Sequence, residues 1–266
     1  MGVLDKFDLT GQVAIVTGAG TGLGRSFALA LADAGCDIVG VGRRPEPIEA
    51  VGEEIRAKGR RYLGLGGTDV TDSTQVNALV ERAIAEMGRI QVLINNAGGG
   101  GAGRGKTFVE LTDEDWHQGI DTNLTSAFFC SRAIVPHMLD QGGGRIINIA
   151  SVWGYRGGNN NFMYTVSKGG ILQLTKSLAI TYARGNIRAT CISPGMFPTR
   201  DDPERSAALA QTLPGGRAGS PSEIGPLAVF LASSASDYMS GQDILMDGGI
   251  APAGVTPAGV VPRAEG

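Results

Sequence analysis

Excess charge of either sign is missing from this sequence. Its 23 basic side chains against 26 acidic ones leave a formal net charge of -3, which removes the basic footprint that a nucleic-acid partner would require. Long apolar runs are missing too: none approaches the roughly 18 residues needed to cross a bilayer. Met1 to Thr10 alternates charged and apolar residues and lacks the basic region and apolar block expected of a signal peptide. Cysteine is scarce. Cys36, Cys130 and Cys191 are odd in number, far apart and each in an apolar neighbourhood, so three buried free thiols are expected rather than a disulfide or a metal site. These absences point to a cytoplasmic role on a small molecule, with no membrane and no nucleic acid as partner. Glycine, by contrast, is abundant, and 42 of 266 residues is more than twice its usual share of about 7 %. Many tight turns follow.

Short apolar runs recur along the chain at Val13 to Val16, Ile38 to Val41, Tyr62 to Leu65, Val92 to Ile94, Ile146 to Ile149, Ile187 to Ile192 and Ile244 to Met246. Helical patterns separate them at Arg25 to Ala34, Ile48 to Lys58, Ser73 to Met87, Asp113 to Met138, Phe162 to Ala183 and Ser222 to Ala232. Seven strands alternating with crossover helices predict a doubly wound parallel α/β sheet with helices on both faces. No linker divides the chain, so 1–266 reads as one domain. Ligands in such sheets bind beyond the carboxyl ends of the strands, where the notable loops fall.

Thr17-Gly18-Ala19-Gly20-Thr21-Gly22-Leu23-Gly24 follows the first strand and runs at once into a helix. Glycines there let a backbone approach a pyrophosphate, and the helix N-terminus supplies amide donors and partial positive charge. The loop fits G-x-x-x-G-x-G through Gly18, Gly22 and Gly24, and does not fit G-x-G-x-x-G in any register. A second glycine-rich stretch, Gly100 to Thr107, satisfies G-x-x-x-x-G-K-[ST] and raises a nucleoside-triphosphate reading. A working P-loop, however, places its Lys-Ser/Thr at the start of a helix. Here Asn95 to Gly98 intervenes after the strand, and Phe108 to Leu111 separate Lys106 from the helix start near Asp113. This stretch is read instead as a rim on a substrate cleft.

Further along stand Ser151, Tyr164 thirteen residues later, and Lys168 four beyond that. On a helix, spacing of four stacks the phenol and the ammonium on one face. A nearby cation favours the phenolate and brings tyrosine toward general acid and base work. Taken singly, each residue has a plain structural reading: Ser151 as a turn or helix cap, Lys168 as a solvated lysine, Asn123 as an exposed or capping asparagine.

Taken together, the Thr17 to Gly24 loop, Asn95-Asn96-Ala97-Gly98, Asn123, Ser151, Tyr164-x-x-x-Lys168 and Pro194-Gly195, in that order, resemble the short-chain dehydrogenase/reductase family from Leu9 to Gly249. The resemblance implies a Rossmann-type subunit, a nicotinamide cofactor and a catalytic tetrad of Asn123, Ser151, Tyr164 and Lys168. By that likeness Ser151 holds the substrate oxygen, Tyr164 exchanges its proton, Lys168 binds the nicotinamide ribose, and Asn123 anchors a proton-passing water. An intact tetrad argues against a non-catalytic nicotinamide sensor. It also implies cofactor contacts from Asn95, Ala97 and Gly98, from Asp69 and Val70 after the third strand, and from Pro194, Gly195, Phe197 and Thr199. From spacing alone, Asp69 or Asp72 could equally cap a helix. Short strings such as Ala34 to Gly40 and Ser233 to Tyr238 most resemble the 2-deoxygluconate and gluconate dehydrogenase branch.

The second strand ends Val41-Gly42-Arg43-Arg44. The carboxylate that an NAD enzyme offers to the ribose 2'-hydroxyl is missing, and Arg43 can meet a 2'-phosphate. NADP is therefore favoured over NAD, although Thr21 and the branch likeness pull toward NAD. The substrate is expected to be a secondary alcohol or ketone, a sugar acid or polyol, with a hydrophobic or cyclic ketone as the alternative. Trp153, Tyr155 and Phe162 are expected to form an apolar wall beside Ser151 and Tyr164. Arg104, Arg156 or Arg200 could clamp a carboxylate. Residues 196–216 are expected to form a substrate lid, and 250–266 an apolar tail. The family likeness implies a homotetramer, with the helices from Asp113 and Phe162 at one interface.

Overall fold

A computed structural model describes residues 2–199 and 203–253 of the chain. Its seven strands are β1 Val13–Thr17, β2 Asp37–Gly42, β3 Tyr62–Gly66, β4 Val92–Asn95, β5 Gly144–Ile149, β6 Ile187–Pro194 and β7 Asp243–Met246. All pair in parallel, in the order β3-β2-β1-β4-β5-β6-β7. Each expected strand is present, extended by one or two residues. The helices are α1 Gly22–Asp33, α2 Pro45–Ala57, α3 Ser73–Met87, α4 Asp113–Ile120, α5 Ser126–Asp140, α6 Phe162–Tyr182, α7 Pro203–Thr212 and α8 Pro221–Ala232.

Alternation along the strands sends side chains to two cores, as a pleated sheet buried on both faces requires. Ala14, Val16, Ile38 and Ile94 pack with Phe27 and Leu31 of α1, Ile55 of α2 and Ile224 of α8. Val13, Ile15, Val39 and Leu93 pack on the other face with Val76 and Leu79 of α3 and Ile134 and Met138 of α5. Phe27 is wholly buried, so its truncation to alanine is expected to cost about 3–5 kcal/mol.

The sequence pattern predicts one helix from Asp113 to Met138. The structure corrects this: α4 and α5 are joined by a π turn over Asp121–Thr125. Such a turn needs no proline or glycine, so periodicity does not announce it, and it commonly marks functional sites. Strand order reverses between β1 and β4, which opens a crevice beyond their carboxyl ends. The glycine loop leaves β1 there and Asn95 ends β4. The expected lid, 196–216, contains α7, with 200–202 outside the described residues; of the expected tail, 254–266 lies outside them.

Candidate active site

A cleft of about 1170 Å³ opens at this crevice. Its lining runs from Gly18, Thr21, Gly22, Leu23 and Gly24 through Arg43, Asp69 and Val70 to Ala97 and Gly98. It ends at Ser151, Trp153, Tyr164, Lys168, Pro194, Gly195, Phe197 and Thr199.

The cradle is built for a close-approaching phosphate. A Cβ on Gly24 would lie 2.1 Å from the Gly18 carbonyl oxygen, and one on Gly22, where φ is +56°, would lie 2.9 Å from Thr199 Cγ2. Only glycine satisfies both. The first turn of α1 opens directly from this loop, presenting its unpaired amides to the cleft. The residues present therefore fit a dinucleotide.

Asn96 Nδ2 donates to the Thr17 carbonyl at 2.9 Å, and Thr17 Oγ1 accepts from the amides of Asn96 and Ala97, each at 3.0 Å. These bonds join the glycine loop to the end of β4. Asn96 was not singled out by sequence reasoning, although it stands beside Asn95 in the same motif. Asn95, expected at the cofactor, turns its side chain into the core, donating to Asn148 Oδ1 at 2.8 Å and Ser131 Oγ at 3.0 Å. The physical reason is the pleat, which sends neighbouring residues at a strand end to opposite sides.

The two aspartates after β3 separate. Asp72 caps α3, accepting from the amides of Thr74 and Gln75, and Asp69 lines the cleft. Arg43 and Arg44 both line it, and neither forms an ion pair among the described residues. Pro47 and Ile48, at the start of α2, also line it; sequence reasoning missed them, because it is packing against Gly20 that brings them to the loop.

On the far wall Asn123, Ser151, Tyr164 and Lys168 come together. Asn123, 3 % exposed, sits in the π turn and holds the loop after β4. Its Oδ1 accepts from Gly99 N at 3.0 Å, while its Nδ2 donates to Gly99 O at 2.8 Å and Gly119 O at 3.0 Å. A Cβ on Gly98 would fall 2.8 Å from Asn123 Oδ1 and 3.5 Å from Lys168 Nζ, so a side chain at 98 would crowd both. Ser151 caps a short 3-10 turn, Val152–Gly154. Its plain capping reading and its place in the cleft are both real.

Lys168 is buried, and its Nζ donates to the Ile149 carbonyl at 2.8 Å. Burial pulls its pKa down to about 8. The Tyr164 phenol is pushed above its ordinary value, burial being the main cause, with the Ser151 hydroxyl and the charge of Arg104 pulling it partly back. Depression of the phenol by Lys168 is therefore corrected: Nζ lies 5.6 Å from the Tyr164 ring centroid and spends a hydrogen bond on Ile149. The charge of Arg104 pulls the phenol the other way without offsetting burial.

The expected apolar wall shrinks to Trp153. Tyr155 turns away and donates to Asp243 Oδ2 at 2.5 Å, and Phe162 packs edge-on against Phe108 at 5.3 Å. Among the three arginines, Arg104 lines the cleft, Arg156 donates to Ile250 O at 2.8 Å, and Arg200 lies outside the described residues. The P-loop-like stretch opens no α-helix. Lys106 pairs with Asp115 at 2.6 Å, and Thr107 caps a 3-10 turn over Phe108–Glu110. All three cysteines are buried and free. Among the described residues no cluster could hold a metal ion, and no helix is long and apolar enough to cross a membrane.

A family model described as short chain dehydrogenase matches residues 12–209. A 2-dehydro-3-deoxy-D-gluconate 5-dehydrogenase of Escherichia coli (strain K12) is 44 % identical over 93 % of this chain and 98 % of that protein. A gluconate 5-dehydrogenase of Gluconobacter oxydans (strain 621H) is 34 % identical over 92 % of this chain and 97 % of that protein. The crystal structure of a gluconate 5-dehydrogenase from Burkholderia cenocepacia J2315 in complex with NADP and tartrate superposes with a TM-score of 0.87 at 35 % identity, covering 95 % of this chain and all of that one. The glycine cradle, the Ser151, Tyr164 and Lys168 wall and these matches agree: the chain belongs to the short-chain dehydrogenase/reductase family and is an NAD(P)-dependent oxidoreductase acting on CH-OH groups.

Proposed function

We propose that the protein interconverts a sugar acid and its keto form, with NADP preferred over NAD. The observation that carries the substrate reading is Arg104: a cation without an ion pair among the described residues, lining the same cleft as Tyr164. A guanidinium there suits a carboxylate or a dense set of hydroxyls. The names of the relatives above, all sugar-acid dehydrogenases, support the same class.

When bound, the nicotinamide supplies the hydride donor or acceptor. The chain's own residues do the rest. Gly18, Thr21, Gly22, Leu23 and Gly24 hold the pyrophosphate; Asp69, Val70, Ala97 and Gly98 border the adenosine half; and Pro194, Gly195, Phe197 and Thr199 border the carboxamide. Arg43 meets the 2'-phosphate, in place of the carboxylate that an NAD enzyme would present. Ser151 hydrogen-bonds the reacting oxygen, Tyr164 gives it a proton in reduction and takes one in oxidation, and Lys168 holds the ribose hydroxyls. Asn123 anchors a water that passes protons from Lys168 toward solvent. Residues 196–216 act as a lid over this one-domain chain.

Exposed apolar side chains on α5 and α6, among them Phe128, Val166 and Ile180, support burial of these helices in a homotetramer. Three buried thiols without a disulfide suit a cytoplasmic protein. The reading is tested by assaying NADPH and NADH with a panel of keto sugar acids against uncharged and cyclic ketones. Turnover of keto sugar acids well above the rest supports it; turnover confined to hydrophobic ketones sinks it.

A further inference from the structure

Behind the catalytic wall, Asp243 of β7 collects one side chain from the turn after β5 and one from the end of β6. Its Oδ2 accepts from the Tyr155 hydroxyl at 2.5 Å and its Oδ1 from Ser193 Oγ at 2.9 Å. Cys191 is its direct register partner on β6, so Cys191, Ser193 and Asp243 share one sheet face. That face points toward α6: Cys191 packs with Ile171 and Leu172.

The two tethered residues have consequential neighbours. Tyr155 closes the 3-10 turn that Ser151 caps, and the turn rests on α6 at the catalytic lysine, where a Cβ on Gly154 would lie 2.8 Å from the Lys168 carbonyl oxygen. Ser193 is wholly buried and stands directly before Pro194 and Gly195, which line the cleft. A carboxylate accepting from two hydroxyls forms charge-assisted bonds, roughly twice as strong as neutral ones. Burial and the Asp243 carboxylate both raise the Tyr155 phenol, so it stays a donor.

We propose that Asp243 is a positioning residue that ties the Ser151 turn, through Tyr155, to the Pro194–Gly195 loop, through Ser193, and so sets the spacing of the two loops that flank the reacting carbonyl. This rests on the assignment of Ser151 and the Pro194–Gly195 loop given under the proposed function. Two arms follow from it. The Tyr155 arm places Ser151 and acts on turnover; the Ser193 arm places the cofactor-facing loop and acts on cofactor affinity.

The test uses the full chain. In a Trp116→Phe background Trp153, inside the tethered turn, is the remaining tryptophan, and acrylamide quenching without cofactor or substrate reports how firmly the turn is held. Tyr155→Phe and Asp243→Ala are each expected to raise the quenching constant about twofold, as loss of a local tether should. In kinetics, Tyr155→Phe is expected to lower kcat about 10-fold with the cofactor KM held, since small misplacements of reacting groups are costly. Ser193→Ala should raise the cofactor KM and spare kcat, and Asp243→Ala should do both. Adding Tyr155→Phe to Asp243→Ala should cost nothing more, because the two changes cut the same tether.

Additive losses in that double variant would overturn the proposal. Unchanged quenching and kcat in Tyr155→Phe would overturn it too, and that variant keeps its half-exposed ring and is independent of whether Asp243→Ala folds. A wild-type protein that turns over no carbonyl would defeat the proposed function instead, while the quenching arm, which needs no cofactor, still decides the tether.

Discussion

Asn123 and Gly99 are paired edge to edge: the Gly99 amide donates to Asn123 Oδ1 at 3.0 Å, and Asn123 Nδ2 donates back to the Gly99 carbonyl at 2.8 Å. The pair fastens the loop after β4 to the π turn between α4 and α5. Asn123→Ala removes both bonds and also the one to the buried Gly119 carbonyl, a loss of about 1–3 kcal/mol. A lower melting temperature accompanied by a fall in kcat is expected. A variant with wild-type melting and wild-type kcat would show that the pair is incidental.

Lys168 makes the folded state pH-sensitive. Its pKa falls from 10.5 to about 8 on burial, so between those values the unfolded chain holds the extra proton. Stability must then rise with pH across that window, and the cost of burying the ammonium is fully present below about 8. Lys168→Met removes that cost together with the bond to the Ile149 carbonyl, so its stability relative to wild type is expected to be about 1–3 kcal/mol more favourable at pH 7 than near pH 10. Thermal melts of both proteins at the two pH values check this, and an unchanging gap between them would contradict it.

Arg104 and Tyr164 share a charge interaction. Without the guanidinium the phenol is expected to move further above its ordinary value, so the pH at half-maximal oxidation should rise in Arg104→Gln. Loss of a charged hydrogen bond to substrate, worth about 1.5–3 kcal/mol, should also raise the KM for a sugar acid about 10–100-fold. An uncharged ketone should lose far less. Equal losses on both substrates would remove Arg104 from substrate recognition.

Arg43 and Gly42 line the cleft together, and under the proposed function they set the cofactor preference. Gly42→Asp with Arg43→Ala removes the phosphate partner and supplies a ribose acceptor, moving preference toward NAD by about 1–3 kcal/mol. A Cβ at position 42 meets the tip of Ile48 at 3.0 Å, which a flexible side chain can yield. Competing titrations with NADPH and NADH measure the change, and a wild-type preference for NADH would reduce Arg43 to a solvated side chain.

The seven-stranded doubly wound sheet was legible because each strand is a short apolar run bounded by glycine or polar turns, a signal that survives without tertiary context. The same held for the Gly18 to Gly24 cradle and for Tyr164 and Lys168, whose spacing is local. What could not be read was set by packing. Asn95 and Asn96 are identical in type and adjacent, and only the pleat decides that one enters the core and the other faces the cleft. Tyr155 and Trp153 both follow Ser151, yet Asp243, 88 residues beyond Tyr155, takes one of them away. Periodicity likewise runs through the π turn at Asn123 without a break, since no residue type signals it.

The central claim is that Tyr164 exchanges the proton of the reacting hydroxyl. It is tested most directly by titrating NADPH into wild type and Tyr164→Phe, then following NADPH oxidation by both with a keto sugar acid that the wild type reduces. Binding should be equal, because the ring and Lys168 remain, while turnover should fall ~10²–10⁴-fold, the usual worth of a positioned acid or base. Wild-type turnover by Tyr164→Phe on the same substrate would contradict the account.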